Sequence, residues 1–364
     1  MISALVLTSV AAATIALNPK HPDRYVVVKG DTLWDIAGRF LHEPWRWPQV
    51  WKGNPQINNP HLIYPGDVIT LRYRNGVPEL GLERGDRRGA TVRLSPRVRS
   101  EPLIQAIPTI PPDAIQQFLT QTRPVALEEM ESAPYIVASA DEHLISGVGG
   151  KIYARSVQET NDAHAQSEAV ATPATALAVT PGTRFGIFRL GDPYYNSSSR
   201  TERHSKEDII GYEGIYVGEA ALDSPGDPST LLVTSAKREI LIGDRLLRLE
   251  ERAVNQSFMP HPPNKPMEGR IVSVVDGVTR IGQYQVVALN LGNQDGVEVG
   301  HVLAVYQQGE TIRDTVSPER NDTVQLPDER AGIVMVFRSF ERMSYALVMQ
   351  ATGPLRLYDA VRNP

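Results

Sequence analysis

The chain of 364 residues contains no cysteine, which excludes disulfides, thiol catalysis and thiolate metal sites together. Because export does not require disulfides, the composition fits a periplasmic protein as well as a cytosolic one. The formal net charge of −5 gives no electrostatic support to bulk binding of nucleic acid. Segments with helical periodicity are rare, whereas proline and glycine number 28 each, and this favours a turn-rich, mainly β architecture.

Patterns typical of catalytic centres are missing as well. The eight histidines form no H-x-H or H-E-x-x-H pair, so no clustered metal ligands are apparent. Neither a G-x-S-x-G motif nor a phosphate-binding loop occurs. We therefore predict no catalytic residue, no metal site and no cofactor.

An uncharged apolar run occupies residues 1–17, and it is too short for a comfortable membrane-spanning helix. It is typical of a secretory signal peptide, with Ala11–Ala13 offering small residues for cleavage, although basic residues before it are missing. A signal anchor and a buried N-terminal helix are the alternatives.

The most strongly patterned part of the chain, residues 24–72, opens with a predicted strand and helix. Tyr25–Val28 is rich in β-branched residues, which favours a strand. Thr32 is a good N-cap, and Asp35 stands three residues later, where its carboxylate can complete a capping box. The predicted helix has one apolar face, made of Leu33, Ile36, Ala37 and Phe40.

A second helix and a returning strand complete a predicted β-α-α-β domain. Pro48 suits the first turn of the second helix, which would carry Val50 and Trp51 inward. Pro65–Asp67 predicts a turn, and Val68–Leu71 has the residues of a strand.

These motifs resemble a LysM domain, a small βααβ module that binds glycans containing N-acetylglucosamine. The matching positions are Tyr25, Val27, Gly30-Asp31-Thr32-Leu33-Trp34, Ile36, Ala37, Asn54, Pro55, Ile57, Leu62-Ile63-Tyr64-Pro65-Gly66 and Ile69. The resemblance implies a shallow glycan groove, with these residues on its two sides: Gly30, Asp31, Thr32 and Leu33, facing Leu62, Ile63 and Tyr64. Several of these residues are also what a turn and a helix cap require, so a purely structural role is the alternative for each.

Trp45 and Trp47 lie in a joint between the two helices that is longer and more aromatic than is usual in the family. Their rings could extend the sugar-binding surface or fill the core. The sequence does not decide between these two interpretations.

Residues 73–110 are predicted to be a basic, proline-rich linker. Eight arginines lie between Arg72 and Ser100, and such a stretch is either a solvated connector or a contact for an anionic partner. A domain boundary is expected near Pro111, followed by one short helix at Pro112–Leu119.

The rest of the chain is predicted to form two β-rich domains of barrel-like or sandwich-like architecture, residues 111–258 and 262–364. Within the first, Gly211–Ala220 alternates with a period of two, and residues 156–183 are expected to form a mobile insertion. A turn followed by an apolar strand recurs along this region. It occurs at Ile242–Leu247, at Val299–Val305 and more faintly at Leu357–Val361.

Beyond the LysM segment, the chain resembles the family of type IV pilus secretin-associated proteins, which join one LysM unit to a C-terminal region like that of flagellar T protein. The resemblance is carried by Ser132–Val137, Gly211–Gly218, Ile281–Val287 and Gly300–Tyr306. It implies a periplasmic, cell-wall-associated protein of a Gram-negative type envelope. Its partners would be peptidoglycan and the outer-membrane secretin ring, which would carry many copies.

A peptidoglycan hydrolase, or a LysM-bearing accessory factor of one, is the alternative function. Glu131-Ser132 matches a dipeptide of lytic transglycosylases, but it precedes a predicted strand rather than lying in a helical domain. The favoured interpretation is a non-enzymatic adaptor.

Overall fold

The structure is a computed structural model. It describes residues 15–51, 63–83, 106–111, 114–115, 118, 123–140, 148–157, 180–196, 205–249, 258–274, 281–314 and 322–364. These residues form two compact units, of which the first holds the residues up to 111 with two short later segments, 258–262 and 300–302. Most of the predicted signal and of the predicted insertion lies outside the described residues. Within those ranges, no helix is both long and apolar enough to cross a membrane.

The first unit is built on a three-stranded antiparallel sheet and two helices. Its elements are β1 (Arg24–Val26), α1 (Leu33–Phe40), a 3-10 turn (Pro44–Arg46), α2 (Trp47–Val50), β2 (Val68–Arg74) and β3 (Val77–Glu83). Strand β2 lies between β1 and β3. The hairpin turn places Asn75 and Gly76 at φ of +52° and +78°, the left-handed region that a two-residue turn of this kind requires. Residues 77–83, assigned to the linker from the sequence, thus form a third strand.

The core of this unit lies between the sheet and α1. The predicted apolar face of α1 is buried, and the predicted inward residues of α2, Val50 and Trp51, are buried as well. Ile63 and Ile69 reach the same core from β2 and the segment before it. Helix α1 begins where the sequence predicted, because Thr32 caps it.

The second unit contains a seven-stranded sheet. Its elements are β4 (Arg123–Val125), α3 (Leu127–Ser132), β5 (Tyr135–Ser139), β6 (Lys151–Arg155), β7 (Arg184–Tyr195), a 3-10 turn (Lys206–Asp208), β8 (Ile209–Ser224), β9 (Ser229–Ala236) and β10 (Arg245–Arg248). The strand order is β4-β8-β7-β10-β5-β6-β9, and β8 also pairs with β9, so six of the strands close into a ring. The predicted strand at 211–220 falls inside β8. Of the predicted helix at 112–119, the described residues Ala114, Ile115 and Phe118 are helical.

A closed six-stranded barrel forms the rest of this unit. Its elements are β11 (Glu268–Val274), β12 (Val286–Leu289), a 3-10 turn (Asn293–Asp295), β13 (Val302–Gln307), β16 (Glu329–Ser339), β17 (Ser344–Ala351) and β18 (Ala360–Arg362), and the strand order is β11-β12-β17-β16-β13-β18. A separate hairpin pairs β14 (Thr311–Arg313) with β15 (Thr323–Gln325). Aliphatic side chains fill the barrel. The prediction of a mainly β chain is confirmed.

One turn geometry recurs before strands in both units. The third residue has a left-handed backbone, and the side chain of the fourth accepts a hydrogen bond from the N–H of the first. Four examples before strands are Tyr64–Asp67, Leu241–Asp244, Gly282–Gln285 and Arg356–Asp359, with hydrogen-bond lengths of 3.0, 2.8, 2.7 and 2.8 Å. The predicted repeat at 242 and 357 is therefore a real repeat of geometry, and it extends to the turn before β2.

Candidate functional site

The first wall of the candidate groove is the turn between β1 and α1. Gly30 has a φ of +99°, and the N–H of Asp31 donates to the carbonyl of Val28 at 3.2 Å. The Asp31 carboxylate accepts from the Tyr25 hydroxyl and from the Val28 N–H, both at 2.9 Å. Burial, supported by this bond to Asp31, raises the pKa of Tyr25. The side chain of Asp31 thus holds the turn in shape.

The next two residues of this wall also serve the fold. The Thr32 hydroxyl accepts the N–H of Asp35 at 3.1 Å and donates to its carboxylate at 2.7 Å, which forms a reciprocal helix cap. Leu33 is 4% exposed and lies in the core. Backbone groups are therefore what this wall has to offer a ligand.

The second wall is the segment before β2. Ile63 is fully buried, and Tyr64 is half-buried at the start of the repeated turn. Gly66 donates its N–H to the carbonyl of Val27 at 2.8 Å and so ties this wall to the first. Leu62, together with the family positions Asn54, Pro55 and Ile57, lies outside the described residues. We define the groove by the backbone of Gly30–Trp34 and of Ile63–Tyr64.

A segment of the same chain lies between the two walls. We call Ala106–Ile110 the groove segment. The N–H of Leu33 donates to the carbonyl of Pro108 at 2.9 Å, and the N–H of Trp34 donates to the carbonyl of Thr109 at 3.2 Å. On the other side, the N–H of Ile107 donates to the carbonyl of Ile63 at 2.8 Å. The sequence predicts a linker at these residues, although isoleucines between prolines are a signal for a docked, extended segment.

Trp45 and Trp47 are 3% and 2% exposed, respectively. Trp47 packs edge to face on Trp51, with ring centroids 6.4 Å apart. The ring faces are thus inside the domain, which settles the interpretation left open by the sequence. Both residues fill the core.

Two histidines that are distant in the sequence come together before β13. His261 and His301 pack edge to face with ring centroids 4.7 Å apart. His261 donates its N–H to the carbonyl of Gly300 at 3.0 Å. A search for closely spaced histidines could not find this contact, because forty positions separate the two residues.

Comparison with known proteins identifies the domain that carries the groove. Residues 25–72 match the LysM domain family, which confirms the prediction made for this segment. LysM domains bind peptidoglycan glycans that contain N-acetylglucosamine, and they typically act in the cell wall or the extracellular space.

A relative in Bacillus subtilis (strain 168), described as uncharacterized protein YqbP, is 38% identical over 60 residues. The match covers 14% of this chain and 27% of the relative, so the chain spans about a quarter of that protein's length.

Proposed function

We propose that this chain is a non-enzymatic peptidoglycan-binding adaptor of the periplasm. Its LysM domain would hold glycan in the groove, and its β-rich unit would contact an outer-membrane secretin ring of the type IV pilus kind. The observation that supports glycan binding is the match of residues 25–72 to the LysM domain family. The secretin half rests on the resemblance of the later stretches, such as Gly211–Gly218, to the secretin-associated family.

The groove has the chemistry that an acetamido sugar requires. An N-acetyl group carries one N–H donor and one carbonyl acceptor. The wall at Leu33 and Trp34 presents backbone N–H donors, and the wall at Ile63 presents a carbonyl acceptor 2.8 Å from its present donor. Each such bond contributes only about 1 kcal/mol net, so a single shallow groove binds weakly. Many copies around a ring would bind one sacculus with far higher avidity.

Replacing Gly30 with valine should abolish retention of the full-length protein on purified sacculi. A β-branched residue is strained at a φ of +99°, and the resulting shift of the turn moves the amides of the first wall. Gly76→Val is the matched control, because Gly76 also has a left-handed φ and also has space around it, but it lies in the β2–β3 hairpin. Pull-down with sacculi, with competition by chitin oligomers, measures the effect. Equal retention of both variants would contradict the assignment of the groove.

The hydrolase alternative is tested with the same sacculi. Glu131 lies in the short helix α3 directly before β5, and its backbone carbonyl accepts from Arg245 at 3.2 Å. Purified protein should release no reducing ends and no muropeptides. Release that disappears in a Glu131→Gln variant would establish an enzyme instead.

The adaptor role predicts that sacculus binding and ring binding are separable. The hairpin β14–β15 is the first surface to test, since Ile312 and Val324 lie opposite each other in its register and are each 44% exposed. In envelope crosslinking, Gly30→Val should still reach the secretin while losing the sacculus. A variant with a Gly-Ser turn in place of residues 310–326 should still bind the sacculus but lose the crosslink to the secretin. Loss of the secretin crosslink in Gly30→Val would show that the division of roles is wrong.

A further inference from the structure

The groove segment occupies the backbone atoms that a glycan would need. We infer that Ala106–Ile110 is an intramolecular ligand of the groove and that an acetamido sugar binds only after displacing it. This inference rests on the proposed glycan-binding function and adds regulation of the same site.

The polar contacts of the segment mimic both halves of an N-acetyl group. The carbonyl of Pro108 takes the Leu33 N–H, and the N–H of Ile107 is given to the carbonyl of Ile63. The segment therefore offers a carbonyl acceptor to the first wall and an N–H donor to the second wall. An acetamido group has the same two groups, one carbonyl and one N–H. A backbone N–H has one proton to donate. The Leu33 N–H can therefore form a full hydrogen bond either with the groove segment or with a sugar, but not with both at once.

The apolar contacts show that the segment is docked rather than resting on the surface. Ile107 is 4% exposed and packs in the same core as Leu33, Ile63 and Leu80. Ile110 is 2% exposed. Pro108 fixes its own backbone torsion and biases Ile107 toward an extended conformation, so the segment loses less entropy on docking than a flexible peptide would.

A docked segment lowers the apparent affinity for glycan. Only molecules with the segment displaced can bind, so the measured dissociation constant equals the intrinsic one divided by the fraction of such molecules. If one molecule in about ten has a displaced segment, binding is about tenfold weaker than the groove itself allows. Many linked copies on one sacculus would still bind, because avidity offsets this loss.

Amide exchange in the full-length protein, followed by NMR with and without saturating chitotetraose, tests the displacement. The Ile107 N–H should exchange at least about tenfold faster when the sugar is bound, because its partner is lost. The N–H groups of Leu33 and Trp34 should stay protected by the sugar. Saturable binding that leaves Ile107 protected would overturn the inference while leaving the proposed function intact.

A variant supplies the second measurement. Ile107→Asp puts a charge where the isoleucine is buried and should displace the segment, because an unpaired buried charge is strongly unfavourable. Its dissociation constant for chitotetraose should be about tenfold lower than that of the wild type, and Ile107→Val should match the wild type. Weaker or equal binding by a folded Ile107→Asp protein would overturn the inference. If that variant unfolds, the exchange experiment on the wild type decides. Absence of chitotetraose binding by the wild type and by a folded Ile107→Asp protein would overturn the proposed function and, with it, the inference.

Discussion

Replacing Trp47 with alanine should unfold the LysM domain and abolish retention on sacculi. Trp47 is 2% exposed, and its removal leaves a cavity beside Trp51 that a small domain cannot refill. Truncating a buried tryptophan costs about 3–5 kcal/mol. A domain of this size has a total stability of roughly 2–7 kcal/mol, so the loss is comparable to the whole.

Thermal unfolding and tryptophan fluorescence measure this effect. Tyr73→Ala is the matched control in the same domain, because the Tyr73 side chain is 62% exposed and its loss should change stability by less than about 0.5 kcal/mol. A Trp47→Ala protein that stays folded and loses only its affinity for glycan would make Trp47 a sugar-stacking residue and would contradict its placement in the core.

Replacing Asp244 with alanine should destabilise the second unit by about 2–3 kcal/mol. Its carboxylate accepts two hydrogen bonds from the Arg189 guanidinium, at 2.8 and 2.9 Å, and a third from the Leu241 N–H at 2.8 Å. The Asp244 side chain is 3% exposed, and its removal takes this acceptor from all three donors, although Nη2 of Arg189 keeps its bond to the carbonyl of Glu239 at 2.8 Å. The Arg189 side chain is 34% exposed and can be partly rehydrated, so the expected loss lies below the roughly 3–5 kcal/mol of a fully buried ion pair.

Calorimetry should show the second unit melting roughly 5–10 °C lower in Asp244→Ala. Asp244→Asn should fall between the wild type and alanine, because its amide oxygen can still accept the Leu241 N–H. Asp223→Ala removes the exposed partner of Lys151 and should cost less than about 1 kcal/mol. If Asp223→Ala and Asp244→Ala melt at the same temperature, the burial of the Asp244 pair has no energetic consequence.

The local chemistry of the LysM segment could be predicted from the sequence, because its signals act over three or four residues. Thr32 caps α1 as expected, and the apolar face of α1 points into the core. Contacts between distant residues were out of reach. The residue types do not predict the hydrogen bond from the Ile107 N–H to the Ile63 carbonyl. It joins two backbone groups that only the folded chain brings together.

Two residue types account for one question that the sequence left open and for one turn that it did not reveal. Tryptophan serves cores and sugar surfaces equally well, so only burial could decide the role of Trp45 and Trp47. In a sequence, a turn with a left-handed residue is usually recognised by its glycine. Gly243 and Gly300 mark two of the predicted turns, and both have a left-handed φ. At the corresponding position two other turns have a tyrosine with a left-handed φ, +64° at Tyr284 and +72° at Tyr358. Without a glycine there, the sequence does not predict the first turn and predicts the second only weakly.

The closed rings have a consequence for crowding. A protein held in many copies on a wall meets its neighbours at high local concentration, where a free strand edge can template sheet-to-sheet aggregation. In the described part of the chain, the barrel and the ring of six strands have each closed their edges. Of the strands left at an edge, β3 and β4 contain Pro78 and Pro124, and proline cannot donate to an added strand, whereas β1, β14 and β15 contain no proline. The two closed rings thereby resist edge-to-edge association, and among the described strands β1 and the hairpin β14–β15 are the edges where crowded copies could still pair.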